Sequence, residues 1–207
     1  MHPNPTFRKT PKETNLDFAR ERGFGILSIN GNDGPLSAHV PFALSDDGKS
    51  ADLHLLRSNP VTRALSQPVR AVLAVSGPDS YVSPDWYGVA DQVPTWNYVA
   101  VQLRGTLTRL HSDRLRASID TLAAQFEARL APKPVWTNDK MPPEALEKMM
   151  QMIVPFRFEV ETVDGTWKLG QNKPDAARLS AAKHLQAYGI GQETTLLAAL
   201  MKAPVAD

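Results

Sequence analysis

The chain contains no cysteine. Disulfides, thiolate nucleophiles, Cys-ligated zinc and iron–sulfur clusters are therefore excluded. Long apolar runs are missing as well. No stretch approaches the roughly 18 residues of a membrane span, and residues 1–10 have no apolar signal core. A cytoplasmic protein that does not enter the membrane is the expectation. An excess of one charge is also absent: 23 Lys plus Arg stand against 22 Asp plus Glu, a formal net charge of +1. Attraction to nucleic-acid phosphate would need a marked basic excess or a basic stripe, and neither is present. There is no Gly-rich phosphate loop of the Walker or dinucleotide kind, no helix-turn-helix signature and no zinc module. Internal repeats and low-complexity linkers are lacking too, which favours a single domain.

What is present reads as an ordinary globular chain, long enough for one sizeable core or a core with a helical appendage. Thr10-Pro11-Lys12-Glu13 reads as a capping box, and the helix it opens should stop at Gly23. Strand-like runs at 24–29, 36–44 and 51–56 are separated by Asn30-Gly31-Asn32-Asp33-Gly34 and Ser45-Asp46-Asp47-Gly48, both turn clusters. Asn59 caps a short helix ending near residue 66. Residues 69–75 are β-branched and apolar enough for a buried strand, and 98–110 alternates like a long one. Leu115, Ile119, Leu122 and Phe126 predict a helix over 113–130, broken by Pro132 and Pro134. A Met-rich helix over 143–153 and strands over 156–163 and 166–169 come next. From Asp175 the chain reads as helix, interrupted at Gly189 and Gly191. Five or six turn-punctuated strands with few helices between them predict a mostly-β (α+β) fold, a small antiparallel barrel with peripheral helices.

Four segments are unusual enough to carry chemistry. Ser37-Ala38-His39-Val40-Pro41 reads as a strand ending at a proline, with backbone groups left for a planar ligand; equally, His39 is a core histidine and Pro41 a plain terminator. Leu56-Arg57-Ser58-Asn59-Pro60 sets a cation, a hydroxyl and an amide before a helix, which suits a phosphate or simply caps the helix beside a solvated arginine. Tyr81-Val82-Ser83-Pro84-Asp85-Trp86-Tyr87 and Val93-Pro94-Thr95-Trp96-Asn97-Tyr98, with Gln102 following, concentrate aromatics and amides. Such a stretch suits either a flat heteroaromatic ligand or an apolar dimer interface around Trp86, Tyr87 and Trp96. Trp167-Lys168-Leu169-Gly170-Gln171-Asn172-Lys173 brackets two amides with lysines, as an anion site or a solvated turn would.

In this order the segments resemble the PaiB-type FMN-binding negative transcriptional regulators. The resemblance runs over residues 1–173. It is carried by Gly77-Pro78 leading into Tyr81-Val82-Ser83 and Trp86-Tyr87, by Pro94-Thr95-Trp96-Asn97-Tyr98, and by Lys168-Leu169 with Gln171-Asn172. It implies a split β-barrel of the FMN-binding type, like that of the flavin reductases and pyridoxamine phosphate oxidases. That domain would span 1–173, with N-terminal and inserted helices, and a helical extension at 174–207 would pack on it. It also implies a homodimer with FMN sites at the subunit interface. On that pattern Arg57, Ser58 and Asn59 would hold the phosphate, and Ala38, His39 and Val40 would lie along the isoalloxazine ring. Trp96, Asn97, Tyr98 and Gln102 would complete the site from the partner chain, with Lys168 and Gln171 as further candidates. Leu56-Arg57-Ser58 departs from the aromatic and glycine that members often place before Asn-Pro. It is similar instead to the Arg-Ser pattern of flavin-binding split barrels generally.

Three functional readings follow. An FMN-binding protein with redox activity would leave the electron chemistry to the flavin, with Tyr98 and His39 as the first groups to test as acid or base. A transcriptional regulator would act through DNA or a protein partner, although residues 176–202 offer only Arg178, Lys183, His184 and Lys202 as basic groups. A heme-binding split barrel would need ligands from His39, His54 or His111, which are only loosely placed.

Overall fold

A computed structural model describes residues 1–204 of the chain. Six strands close into a barrel in the order β1-β2-β3-β6-β5-β4. They are β1 (Phe24–Gly31), β2 (Gly34–Leu44), β3 (Ser50–Leu56), β4 (Val69–Val82), β5 (Thr95–Arg109) and β6 (Ile153–Lys168). The α-helices among the described residues are α1 (Lys12–Arg22), α2 (Pro60–Ala64), α3 (Leu115–Glu127), α4 (Pro143–Gln151), α5 (Asp175–Tyr188) and α6 (Thr194–Lys202). β1 pairs antiparallel with β2 and β4, and β3 with β2 and β6. Closure removes the open edges that a flat sheet of this size would expose. This is the mostly-β barrel with helices that the periodicity predicts.

Several boundaries differ from the sequence reading, each for a physical reason. β2 does not stop at Pro41, which pairs with Phe24 inside the strand. Pairing with β3 starts only at Phe42↔Leu53, so the missing N–H of Pro41 breaks no ladder there. β4 runs on through Gly77-Pro78, well past residue 75, and β5 begins at Thr95 rather than 98. The two strands expected at 156–163 and 166–169 are one, because Asp164-Gly165 continues β6 instead of turning. Helix α4 yields at residue 151, and Ile153 already belongs to β6.

By internal contacts the chain divides into two compact units. The central unit holds Phe18–Ala74 and Leu103–Thr162. Its core is built from the inward residues of alternating strands, among them Leu27, Phe42, Leu53, Leu73, Leu103, Leu107, Phe156 and Phe158, all fully buried. Outward on β3, Asp52 takes a bidentate pair from Arg157 at 2.9 and 3.0 Å. The terminal unit holds Met1–Asp17, Val75–Gln102 and the described residues from Val163 onward. There Asn15 donates from Nδ2 to the carbonyls of Thr10 and Pro11 and accepts from Trp167 Nε1 at 2.9 Å. The α5–α6 connection adds to β4 as a short strand would: Tyr81 N–H donates to Ile190 and Asp79 N–H to Gln192. Arg178, almost fully buried, donates to the last carbonyls of α6, at Met201 and Lys202, and pairs with Asp175 at 2.8 Å.

His54 gives a pH-dependent test of the central unit. It is half-buried on β3 opposite Pro155, and its Nδ1 has no partner among the described residues. Burial lowers its pKa. Below the ordinary histidine value of about 6.5 the unfolded chain binds a proton that the folded chain resists, so stability falls as pH drops through that value. The fall ends below the lowered folded pKa. His54→Gln should therefore show a smaller loss of Tm between about pH 7.5 and about pH 5.5 than the wild type; equal losses would remove His54 from the pH response.

Candidate functional site

In the central unit, β2 directs Ala38 and Val40 into the core and turns His39 to the surface, where its ring lies 6.4 Å from that of Phe24. His39 is thus an outward residue rather than a core one. Arg57 sits just beyond the end of β3, exposed. Its Nε donates to the Gln151 carbonyl at 2.5 Å, and its backbone N–H donates to Met152. These two bonds fix the stem and leave both terminal guanidinium nitrogens without a partner among the described residues. Ser58 beside it is exposed as well. Asn59 caps α2, its Oδ1 accepting from Val61 N–H at 2.9 Å, which leaves its amide nitrogen for another acceptor. Helix α2 has only five residues, so its dipole adds little and any anion contact rests on side chains.

In the terminal unit, Trp96 is 47% exposed and meets Tyr81 edge-on, with ring centroids 6.4 Å apart. Asn97 alternates inward and is buried, its amide 3.5 Å from the Met201 sulfur. Tyr98 and Gln102 are half-buried farther along β5. Lys168 closes β6 and donates to Thr95 Oγ1 at 2.5 Å. Gln171 is used locally: it accepts from Leu169 N–H at 2.8 Å and donates to the Trp167 carbonyl at 2.6 Å, pinning the turn after β6. Asn97 and Lys168 line a cleft of about 210 Å³ together with Lys173, His2, Phe7 and Tyr87. Burial first, and the like charge of Lys173 second, hold the Lys168 ammonium below its usual pKa. Lys173 is visible in the sequence as a second charge in its segment. His2 and Phe7 come from an N-terminal stretch with no local signal that it joins a site.

The family described as "Putative FMN-binding domain" matches residues 1–162. The chain belongs to this FMN-binding family, of the PaiB type. It is 29% identical over 182 residues to Protease synthase and sporulation protein PAI 2 of Bacillus subtilis, covering 87% of this chain and 86% of that one. The fold is similar to that of an FAD and heme binding protein from Mycobacterium smegmatis, with a TM-score of 0.60, 17% identity and coverage of 89% and 82% of the two chains. It is also similar to the flavocytochrome Anf3 of Azotobacter vinelandii, with a TM-score of 0.52, 14% identity and coverage of 81% and 72%. The barrel of this PaiB-type chain is accordingly a split barrel of the flavin-binding kind, and FMN is its cofactor.

The side chains of the PaiB-type protein fit that cofactor on their own chemistry. FMN presents a dianionic phosphate, a flat apolar ring and a polar pyrimidine edge. Arg57 offers two unengaged guanidinium nitrogens beside the Ser58 hydroxyl, the donor set a phosphate needs. Trp96 offers an exposed aromatic surface. Among the described residues no group of three or more His, Cys, Asp or Glu is placed to hold a metal ion. No helix among them is long and apolar enough to cross a membrane.

Proposed function

We propose that this protein works as a cytoplasmic homodimer that holds FMN at its subunit interface and regulates transcription according to the state of that cofactor. The observation that carries the FMN reading is the family match over residues 1–162, supported by the exposed Arg57-Ser58 donor pair at the end of β3. In one protomer Arg57, Ser58 and Asn59 hold the phosphate, and the backbone of Ala38-His39-Val40, with only the His39 side chain turned outward, runs along the ring. The partner subunit's Trp96, Asn97, Tyr98 and Gln102 cover the other side. Exposed Trp96 beside Tyr81 supports that assignment, since an aromatic half open to water gains by being covered. Bound flavin supplies reversible electron transfer. The residues orient the ring, exclude water from it and neutralise the phosphate; Lys168 and Gln171 act from the turn after β6.

A regulatory role through a protein partner is favoured over direct DNA contact. Of the four basic residues in the C-terminal helices, Arg178 is buried against α6 and His184 stacks on Trp86 with centroids 6.1 Å apart. Only Lys183 and Lys202 remain on the surface there, too few for a phosphate track. Binding to a promoter fragment well above that to random DNA at moderate salt would reverse this preference.

The test is an FMN titration followed by flavin fluorescence and visible absorbance, on the wild type and on Trp96→Ala. The wild type should bind FMN and elute as a dimer on a sizing column. The variant should lose at least about tenfold in affinity, in line with the cost of removing a central aromatic anchor. Absence of flavin binding by the wild type would refute the reading; unchanged affinity in the variant would remove Trp96 from the site.

A further inference from the structure

The cleft in the terminal unit has an unusual charge arrangement. Two ammonium groups, Lys168 and Lys173, border it, and among the described residues no carboxylate does. Each lysine is held by a neutral acceptor, Lys168 by Thr95 Oγ1 and Lys173 by Gln92 Oε1. Each also stands over an aromatic face: Lys168 is 6.0 Å from the Phe7 ring centroid, and Lys173 is 5.3 Å from that of Tyr87. Hydroxyl, amide and aromatic partners orient the ammonium groups without neutralising them. The like charges therefore oppose one another, and burial adds to the cost at Lys168. An anion between them would relieve both penalties.

We propose that this cleft is a phosphate-binding subsite, closed on two sides by Lys168 and Lys173. A phosphate group is favoured over a carboxylate because two ammonium groups border the cleft, and a phosphate brings a charge of about −1.5 to −2 to meet them where a carboxylate brings one. Its volume of about 210 Å³ lies below the roughly 300 Å³ at which whole-ligand pockets begin, so it takes a headgroup rather than a complete flavin. The tight turn behind it is preset. Gly170 is left-handed at φ +79°, its carbonyl accepts from Lys173 N–H at 2.9 Å, and Gln171 locks the turn from within. Both lysines lie beyond residues 1–162, outside the span that the FMN-binding family matches. The subsite needs only this cleft and stands whether or not the flavin site is as proposed. Its phosphate is either that of FMN or that of a separate phosphorylated metabolite.

The experiment compares inorganic phosphate, FMN and riboflavin as ligands of the full chain, at constant ionic strength set with chloride. Wild type, Lys168→Met, Lys173→Met and Lys173→Arg are followed by Tm and by calorimetric titration. Phosphate should raise the wild-type Tm above the chloride control. Both Met variants should weaken phosphate at least about tenfold while keeping their Tm in chloride, and Lys173→Arg should retain binding. If the Met variants also bring FMN down to the affinity of riboflavin, the phosphate is the cofactor's own. If FMN binding is unchanged while phosphate binding is lost, a separate phosphorylated ligand uses the cleft. Phosphate that fails to raise the wild-type Tm, or raises it equally in the Met variants, overturns the subsite. The flavin reading fails separately, if neither FMN nor riboflavin binds whatever phosphate does.

Discussion

Gly105→Ala should destabilise the protein by about 3 kcal/mol or more, the upper end of what overpacking a core costs. Position 105 faces inward on β5, and a Cβ built there would lie 1.7 Å from the backbone oxygen of Glu159 on β6. Unlike a flexible side chain, a strand carbonyl cannot swing away. Relief requires the two strands to separate by more than an ångström, which would cost hydrogen bonds and the packing of Leu103 and Leu107 on either side. At about 2–4 °C per kcal/mol for a chain of this size, Tm should fall by about 10 °C. Gly88→Ala is the control. It also replaces a glycine, at φ +64°, but its Cβ would meet nothing within 4 Å, so only the backbone strain of about 1–2 kcal/mol applies. Equal losses in the two variants would show that steric approach at Gly105 is not the cause.

The second large effect is expected at Asn15, which is 3% exposed and makes three hydrogen bonds. Asn15→Ala removes the amide that ties the start of α1 to Trp167 on β6, 152 positions away. It leaves the carbonyls of Thr10 and Pro11 and the indole N–H without that partner. The Pro11 carbonyl keeps the backbone N–H of residue 15 and lies at the surface, so the main costs are the buried Trp167 contact and the lost packing, and a loss of about 2–3 kcal/mol is expected. Gly165 gives this prediction a sharper form. A Cβ at 165 would come within 2.0 Å of Asn15 Oδ1, and the three hydrogen bonds keep that side chain from yielding. Gly165→Ala should therefore be severe in the wild type and mild in the Asn15→Ala background, a coupling of about 2 kcal/mol measured by denaturant unfolding of the four proteins. Additive losses would mean that the two positions do not share the space.

These two glycines mark the boundary of what is legible in the sequence. Gly23, Asn59 and the Ser45-to-Gly48 turn announce their roles through local rules: a left-handed C-terminal residue, a capping amide, a turn of short polar residues. The structure has Gly23 at φ +55° and Asn59 bonded to Val61 N–H accordingly. Gly165 falls between the two strands expected at 156–163 and 166–169 and lies inside a single one, where the missing Cβ makes room for a side chain from α1. Pro41 read as a strand end and lies within β2, because β3 has not yet begun to pair at that point. In both cases a residue that usually breaks structure is tolerated by a neighbour distant in sequence.

The candidate site divides in the same way. Arg57-Ser58-Asn59 and the Trp96-Asn97-Tyr98 string are contiguous, so their composition singles them out before any fold is known. The phosphate cleft is not contiguous. His2, Phe7, Thr95, Lys168 and Lys173 come from three separated stretches, and no periodicity or motif joins them. Strand periods, helix caps, turns and the flavin family were readable because each depends on residues within a few positions of one another. Tertiary structure alone decided that two lysines would face one cleft, that β5 would touch β6 at Gly105, and that Asn15 would reach Trp167. Each joins groups far apart in the sequence, which local chain geometry leaves independent.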